Sequence, residues 1–330
     1  MKYIITGGSG FIGKHFSMSY SKDIIYNFDI ENSEVFNNHR KVDILDKEKL
    51  LSFKTVPNDE ICLIHMAAVH FDFQKNYYQT NITGTKNVLE FVKKNKIKKF
   101  IFFSSVAVYG DSQLGKDEES EKEPNNDYGK SKLEAERVVE NWSKNNKFCQ
   151  VIIVRPAVVF GEFNFGNVYN LIQQIKSGFY FVIGNGDNIK SIAYVKNLVD
   201  SVIFTIENVK ENYYVYNYCD YPQNTTMGLS LKISKILNKT KPFKIPYFLT
   251  KIVSFPLDII EKIFNKDLKF NSMRLKKFTI STNFKSDRIR KFGFTPRYNT
   301  IKSLQNTINW IIKNDVKKMR KKWFKKASKL

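Results

Sequence analysis

Cysteine is scarce in this 330-residue chain: Cys62, Cys149 and Cys219 lie far apart, which excludes a disulfide framework and a thiolate metal site. Histidine is little commoner, with four at no ligand spacing, so no metal is expected. No run approaches the roughly 18–20 consecutive apolar residues that a membrane span needs. Met1 to Thr6 leads straight into glycines, without the apolar core and cleavage site of a secretory signal, so a cytoplasmic location is expected. Acid is also short, at 32 Asp and Glu against 54 Lys and Arg. A net charge of +22 suits nucleic acid, an anionic membrane or a phosphate-bearing small molecule, and equally a Lys- and Asn-rich composition with no partner behind it. The chain does not lack core material. With 42% apolar and 15% aromatic residues, it has the makings of a folded protein of one large or two smaller domains.

The first 160 residues alternate short apolar runs with helical patterns. Candidate strands cover Lys2–Thr6, Asp23–Asp29, Cys62–Ala68, Lys99–Ser105 and Cys149–Arg155. Their near-continuous apolarity predicts burial on both faces. In the clearest helical pattern, Ala135, Val138, Val139 and Trp142 fall at i, i+3, i+4 and i+7. Such alternation predicts an α/β fold, a doubly wound parallel sheet with ligands at the carboxyl ends of its strands. After Pro156 the pattern loosens: helical runs at Val168–Lys176 and Leu198–Glu207, and strands at Tyr180–Ile183 and Tyr213–Tyr218. From Pro222 the chain reads as helical and basic, with only the Lys-rich end expected to be unstructured.

Two constellations carry chemistry. Thr6 to Gly13, TGGSGFIG, follows the first strand and opens the first helix. Its glycines allow a tight turn, close approach of the backbone to a pyrophosphate and close helix–strand packing. Asp29 closes the second strand, where a carboxylate bonds adenosine ribose hydroxyls and repels a 2′-phosphate, favouring NAD. Farther on, Tyr128 and Lys132 stand one helical turn apart, and Ser105 ends a strand. A phenol has an ordinary pKa of about 10. A neighbouring ammonium and a cationic nicotinamide would lower it, so that Tyr128 could exchange a proton with a substrate alcohol while hydride moves to or from the cofactor.

These motifs, in this order, resemble the extended short-chain dehydrogenases/reductases, the NAD-dependent sugar-nucleotide epimerases and dehydratases. The match runs through TGGSGFIG (6–13), Asp29, Asp43-Ile44, HMAA (65–68), NITGTKNVLE (81–90), FSSVAVYG (103–110), YGKSK (128–132) and RPAVVFG (155–161). It continues more loosely through 185–202 and around 281–294. The resemblance implies a Rossmann-like NAD-binding domain at 1–160 with 189–220 returning to it. A smaller, mostly helical substrate domain would occupy 161–188 and 221–316, followed by a basic tail at 317–330. It implies that Gly7, Gly10, Phe11, Ile12, Gly13 and Asp29 bind the cofactor, that Asp43 and Ile44 flank the adenine, and that Ala67 lies beside the cofactor. Ser105, Tyr128 and Lys132 would be catalytic, with Lys132 also on the nicotinamide ribose, and Asn81 would be a buried bridge between strand ends. Asn167, Lys190 and Arg274 are candidate contacts to the substrate phosphates; Lys190 replaces a family Arg, and both cations could equally be solvated. A homodimer through the helices near Asn81 and Tyr128 is implied as well.

Departures from the family narrow the chemistry. The 4,6-dehydratases place Asp-Glu after the catalytic hydroxyl, whereas this chain has Val106 and Ala107, which cannot move a proton. Ala157 stands where some hexose epimerases carry Asn, which sets this chain apart from a standard UDP-galactose 4-epimerase. The sequence therefore favours a nucleotide-sugar C4 epimerase in surface-glycan synthesis. A keto-sugar reductase, a 3β-hydroxysteroid-type dehydrogenase and a non-catalytic NAD-binding scaffold stay open. Lys317–Leu330, with eight basic residues, no acid and Met319, Trp323 and Phe324 among them, could dock weakly on anionic lipid or remain solvated. Nucleic acid is not expected as a partner, because the dinucleotide machinery already accounts for phosphate affinity. His65 is expected to pack near the cofactor strand, and His70 to lie in a loop near the site.

Overall fold

In a computed structural model of the chain, the described residues are 1–32, 38–55, 60–69, 76–178, 180–248 and 279–327. Seven strands form one sheet: β1 (Lys2–Thr6), β2 (Ile24–Asp29), β3 (His39–Lys41), β4 (Ile61–His65), β5 (Lys99–Phe103), β6 (Gln150–Pro156) and β7 (Tyr213–Tyr218). Their spatial order is β3-β2-β1-β4-β5-β6-β7, and every pairing is parallel. The order reverses between β1 and β4, which opens a crevice at their carboxyl ends.

The apolar runs have a simple origin. Successive side chains point to opposite faces of a strand, and both faces here are covered. Tyr3 and Ile5 of β1 join a cluster with helices α1 (Phe11–Tyr20) and α6 (Val195–Asn208), while Ile4 joins another with α3 (Thr85–Lys94) and α4 (Asp127–Asn145). The remaining helix of this half, α2 (Lys47–Ser52), starts where the Asp46 side chain accepts from the Lys49 amide at 3.0 Å. Strand β3 was not foreseen. Its three residues, His39, Arg40 and Lys41, are polar and part-exposed at the sheet edge, so they carry no apolar signal.

Beyond the sheet, α5 (Asn167–Lys176), α7 (Thr226–Ile236) and α8 (Thr300–Lys313) surround another apolar core that includes Tyr169, Ile172, Ile233, Leu304 and Ile308. Short strands thread this part too; Phe181–Ile183 pairs with Phe243–Ile245. The Lys-rich end departs from expectation, because it forms helix α9 (Val316–Ala327). Asp315 caps it by accepting from the Lys318 amide at 3.2 Å, and Val316 and Met319 pack on the same core. Arg320 bonds Asn170 of α5 at 3.2 Å and lies over the Tyr169 ring. These contacts anchor the first turns of a basic segment that would be marginal alone.

Candidate active site

The glycine turn is held by its own backbone. Gly7 adopts φ 73°, and a Cβ there would lie 2.6 Å from the Ala67 amide nitrogen at the end of β4. Only glycine allows both the left-handed conformation and that approach. A Cβ on Gly13 would strike the Gly8 carbonyl oxygen at 2.2 Å, so the first turn of α1 packs directly on the loop. Gly10 differs. A Cβ there would meet, among the described residues, the Gly7 carbonyl oxygen alone, at 3.2 Å. Phe11 and Ile12 begin α1 immediately after it, presenting the helix amides that suit a pyrophosphate.

Asp29 accepts from the amides of Ser9 and Glu31, both at 2.9 Å, so it braces the loop at the end of β2. Burial raises its pKa, and those two amide bonds pull it back. Asp43 is exposed, with its carboxyl accepting from the Leu45 amide at 2.9 Å. Ile44 is instead a core residue, 4% exposed, with its carbonyl held by Asn87 at 2.9 Å. The residues fit NAD: an open Gly10, a helix start and a carboxylate at the second strand lie where a dinucleotide needs them. In addition, Ser104, buried at the end of β5, has a hydroxyl with no hydrogen-bond partner among the described residues.

Ser105, Tyr128 and Lys132 come together around the end of β5. Asn126 caps α4 by accepting from the Gly129 amide at 2.8 Å, which fixes Tyr128 in the first turn and Lys132 one turn later. The Tyr128 phenol hydrogen-bonds Ser105, whose oxygen also accepts from the Ala107 amide at 3.1 Å. Lys132 is buried and donates to the Phe103 carbonyl at 2.7 Å. Burial raises the pKa of Tyr128, with only the Ser105 bond lowering it, while burial lowers Lys132 to about 7. The ammonium is tied to a backbone carbonyl, and desolvation outweighs it.

Asn81 and His65, both named from the sequence, position this set through partners that the sequence did not single out. Asn81, 1% exposed, accepts from the Val69 amide at 2.9 Å and donates to the Val69 carbonyl and to Ser131 of α4. Ser131 in turn donates to the Tyr128 carbonyl at 2.8 Å. Asn81 thus bridges the end of β4 and α4. His65 sits between Thr6, whose hydroxyl lies 2.6 Å from Nδ1, and Thr85, 3.0 Å from Nε2. Thr85 donates its own proton to the Asn81 carbonyl at 2.6 Å, so it accepts from His65 Nε2–H, and Nδ1 accepts from Thr6. Burial, with Lys132 close by, lowers the pKa of His65 to about 3 and keeps it neutral. On the other side of α4, Glu136 receives Arg155 of β6 through two bonds of 2.8 and 2.7 Å. Breaking such a buried pair typically costs about 3–5 kcal/mol. The helix that carries the candidate base is therefore pinned from both sides.

The candidate phosphate contacts are less uniform. Asn167 is exposed at the start of α5, whose cap, Gly166, makes no side-chain capping bond. Lys190 donates to the Ile280 carbonyl at 2.7 Å, and burial lowers its pKa. Arg274 and His70 lie outside the described residues.

Fold and site together define a class: an NAD-dependent enzyme of the extended short-chain dehydrogenase/reductase type. The model of the NAD dependent epimerase/dehydratase family matches residues 3–219, and the chain belongs to that family. It is 36% identical over 313 residues, 93% of this chain and 94% of the relative, to an N-acetyl-alpha-D-glucosaminyl-diphospho-ditrans,octacis-undecaprenol 4-epimerase from Escherichia coli O157:H7. Among solved structures, it resembles a UDP-glucose 4-epimerase from Thermotoga maritima with a TM-score of 0.73 at 20% identity, covering 95% of this chain and 99% of that one. A UDP-N-acetylglucosamine 4-epimerase from Methanobrevibacter ruminantium has a TM-score of 0.72 at 23% identity, covering 94% and 98%. At these identities the two structures speak to the fold.

Proposed function

We propose that this protein interconverts C4 epimers of an N-acetylhexosamine carried on a diphosphate, with a polyprenol as the carrier and surface-glycan synthesis as the setting. The observation that carries this reading is the Ser105–Tyr128 pair at the sheet crevice, with Val106 and Ala107, rather than carboxylic acids, next to it. Removal of water from the sugar needs a positioned acid and base that those residues cannot supply. The 36% identity spans 93% of the chain, so it includes the half that would hold the substrate, and it supports the polyprenyl carrier.

NAD, when bound, supplies the hydride acceptor and the positive charge of its nicotinamide ring. Tyr128 takes the proton from the C4 hydroxyl and later returns it, while Ser105 holds the same oxygen. Lys132, which donates to the Phe103 carbonyl, would hold the nicotinamide ribose when NAD is bound, its charge favouring the phenolate. The 4-keto sugar turns over between the two half-reactions, so the site grips the diphosphate firmly and the sugar loosely. Asn167 at the start of α5 is the diphosphate contact that the geometry favours, because an uncapped helix start offers amides to an anion. Residues 1–160 with 189–220 form the cofactor unit in this reading, with 161–188 and 221–316 as the substrate unit; the pairing of β7 with β6 supports the return. The protein is proposed to work as a homodimer through α3 and α4. A cytoplasmic enzyme at the inner membrane face, touching lipid through its basic end, fits a polyprenyl substrate; no described helix is long and apolar enough to cross a membrane.

The test is to incubate the purified protein with polyprenyl-diphosphate-linked N-acetylglucosamine and with UDP-N-acetylglucosamine, and to analyse the released sugar by chromatography. Formation of the galacto epimer without net use of added NADH is expected. Stoichiometric NADH consumption, or no epimer from either donor, would overturn the reading.

A further inference from the structure

The paired strands Phe181–Ile183 and Phe243–Ile245 stand at the edge of the second lobe. Their register sets Phe181 opposite Phe243 and Ile183 opposite Ile245. Side chains two apart share a face, so these four form one apolar surface, while Val182 between them turns into the interior at 2% exposure. Phe243 is 70% exposed and Phe181 40%; Phe248, just beyond the strand, is 61% exposed. Three exposed phenylalanines within so short a span make a patch that a soluble surface does not need.

The sequence on the Phe243 side of this patch carries charge of one sign, while exposed Asp187 follows the other strand. Between Asp220 and Asp258 the sequence holds six lysines and no acid. Of these, Lys239 and Lys241 are exposed and precede the Phe243 strand. Exposed aromatic rings beside lysines match the chemistry of a bilayer interface, where rings enter the headgroup layer and ammonium groups meet anionic lipid. A protein partner with an acidic, apolar face would match the lysines as well, but it would have to be shaped to a narrow two-stranded ribbon. A fluid anionic surface has no such requirement.

We propose that this ribbon is a membrane-docking surface for an anionic bilayer, with Phe243 and Phe248 entering the interface and Lys239 and Lys241 contacting lipid headgroups. The inference deepens the reading of a polyprenyl-linked substrate, on which its biological purpose rests: docking here would bring the substrate lobe to the surface that holds the lipid carrier.

The experiment uses the full chain and vesicles of phosphatidylglycerol and phosphatidylcholine, or of phosphatidylcholine alone. The wild type is expected to sediment with the anionic vesicles and to be released by salt. The double variant Phe243→Ser, Phe248→Ser is expected to bind about tenfold more weakly or worse. A separate Phe243→Trp variant is expected to gain fluorescence that brominated acyl chains quench beyond the wild-type background. Undiminished binding by the double variant, or no added quenching in Phe243→Trp, would overturn the proposal. So would unchanged lipid binding with loss of a dimer, which would make the ribbon a contact between copies of the chain. Activity separates this proposal from the function beneath it. The double variant should epimerise a short-chain, water-soluble polyprenyl-diphosphate sugar normally and lose the long-chain substrate embedded in vesicles. Failure of the wild type on both substrates would sink the functional reading and leave the vesicle result standing.

Discussion

Around Gly7 backbone meets backbone with no room for a side chain, whereas at Lys190 strand pairing holds the backbone and leaves a long side chain to reach the Ile280 carbonyl. The loop after β1 has no latitude: φ is positive, and a neighbouring amide leaves no room for a Cβ. The region before β7 has more, because an ammonium that bonds the Ile280 carbonyl can be replaced or redirected without moving the fold. In the proposed function, the dinucleotide common to the family meets the rigid loop, and the substrate meets the adaptable region.

Substitutions can break this contrast or sharpen it. The largest effect is expected from Tyr128→Phe: a loss of about 10²–10⁴-fold in kcat, with co-purified NAD retained when the nucleotide is extracted and quantified. Full activity in that variant would remove the phenol from the mechanism. Gly7→Ala comes next. Strain at positive φ and the clash with Ala67 should cost about 3 kcal/mol in urea unfolding and abolish NAD retention. A stable, NAD-loaded variant would show that the loop has latitude after all.

His65 gives a pH-dependent test. Its folded pKa of about 3 lies below the ordinary 6.5, so between these values the unfolded chain binds a proton that the native chain does not. Stability is therefore lost as pH falls from 6.5 toward 3, by up to about 1.4 kcal/mol per pH unit from this group, with no contribution above that window. His65→Gln should flatten that part of the stability profile measured by chemical denaturation; an unchanged slope would refute the neutral, doubly bonded ring. The smallest effect belongs to the second lobe. Val316→Ser should cost about 1 kcal/mol and expose α9 to limited proteolysis, leaving NAD content and kcat as they were. A loss of NAD would mean that the two halves are more tightly coupled than their contacts suggest.

The legible parts of the sequence were those governed by local rules. TGGSGFIG announced the cofactor loop because glycine spacing is itself the constraint, and Tyr128 and Lys132 could be placed on one helix by counting residues. Strand β3 was not legible, since an edge strand of three polar residues leaves no pattern. Helix α9 read as a solvated tail because its anchors, Asn170 and Tyr169, lie some 150 residues away. The same distance effect hid Thr6, Thr85 and Ser131, ordinary polar residues until the fold sets them beside His65 and Asn81.

The sequence alone determined the six apolar strands of the sheet, the glycine turn and the presence of a Ser/Tyr/Lys set, because periodicity and spacing act over a few residues. Only the tertiary structure decided which way burial shifts that set. Burial pushes Tyr128 up and Lys132 down, the reverse of what two neighbours on a bare helix would do, because the cost of taking a charge out of water depends on everything packed around it.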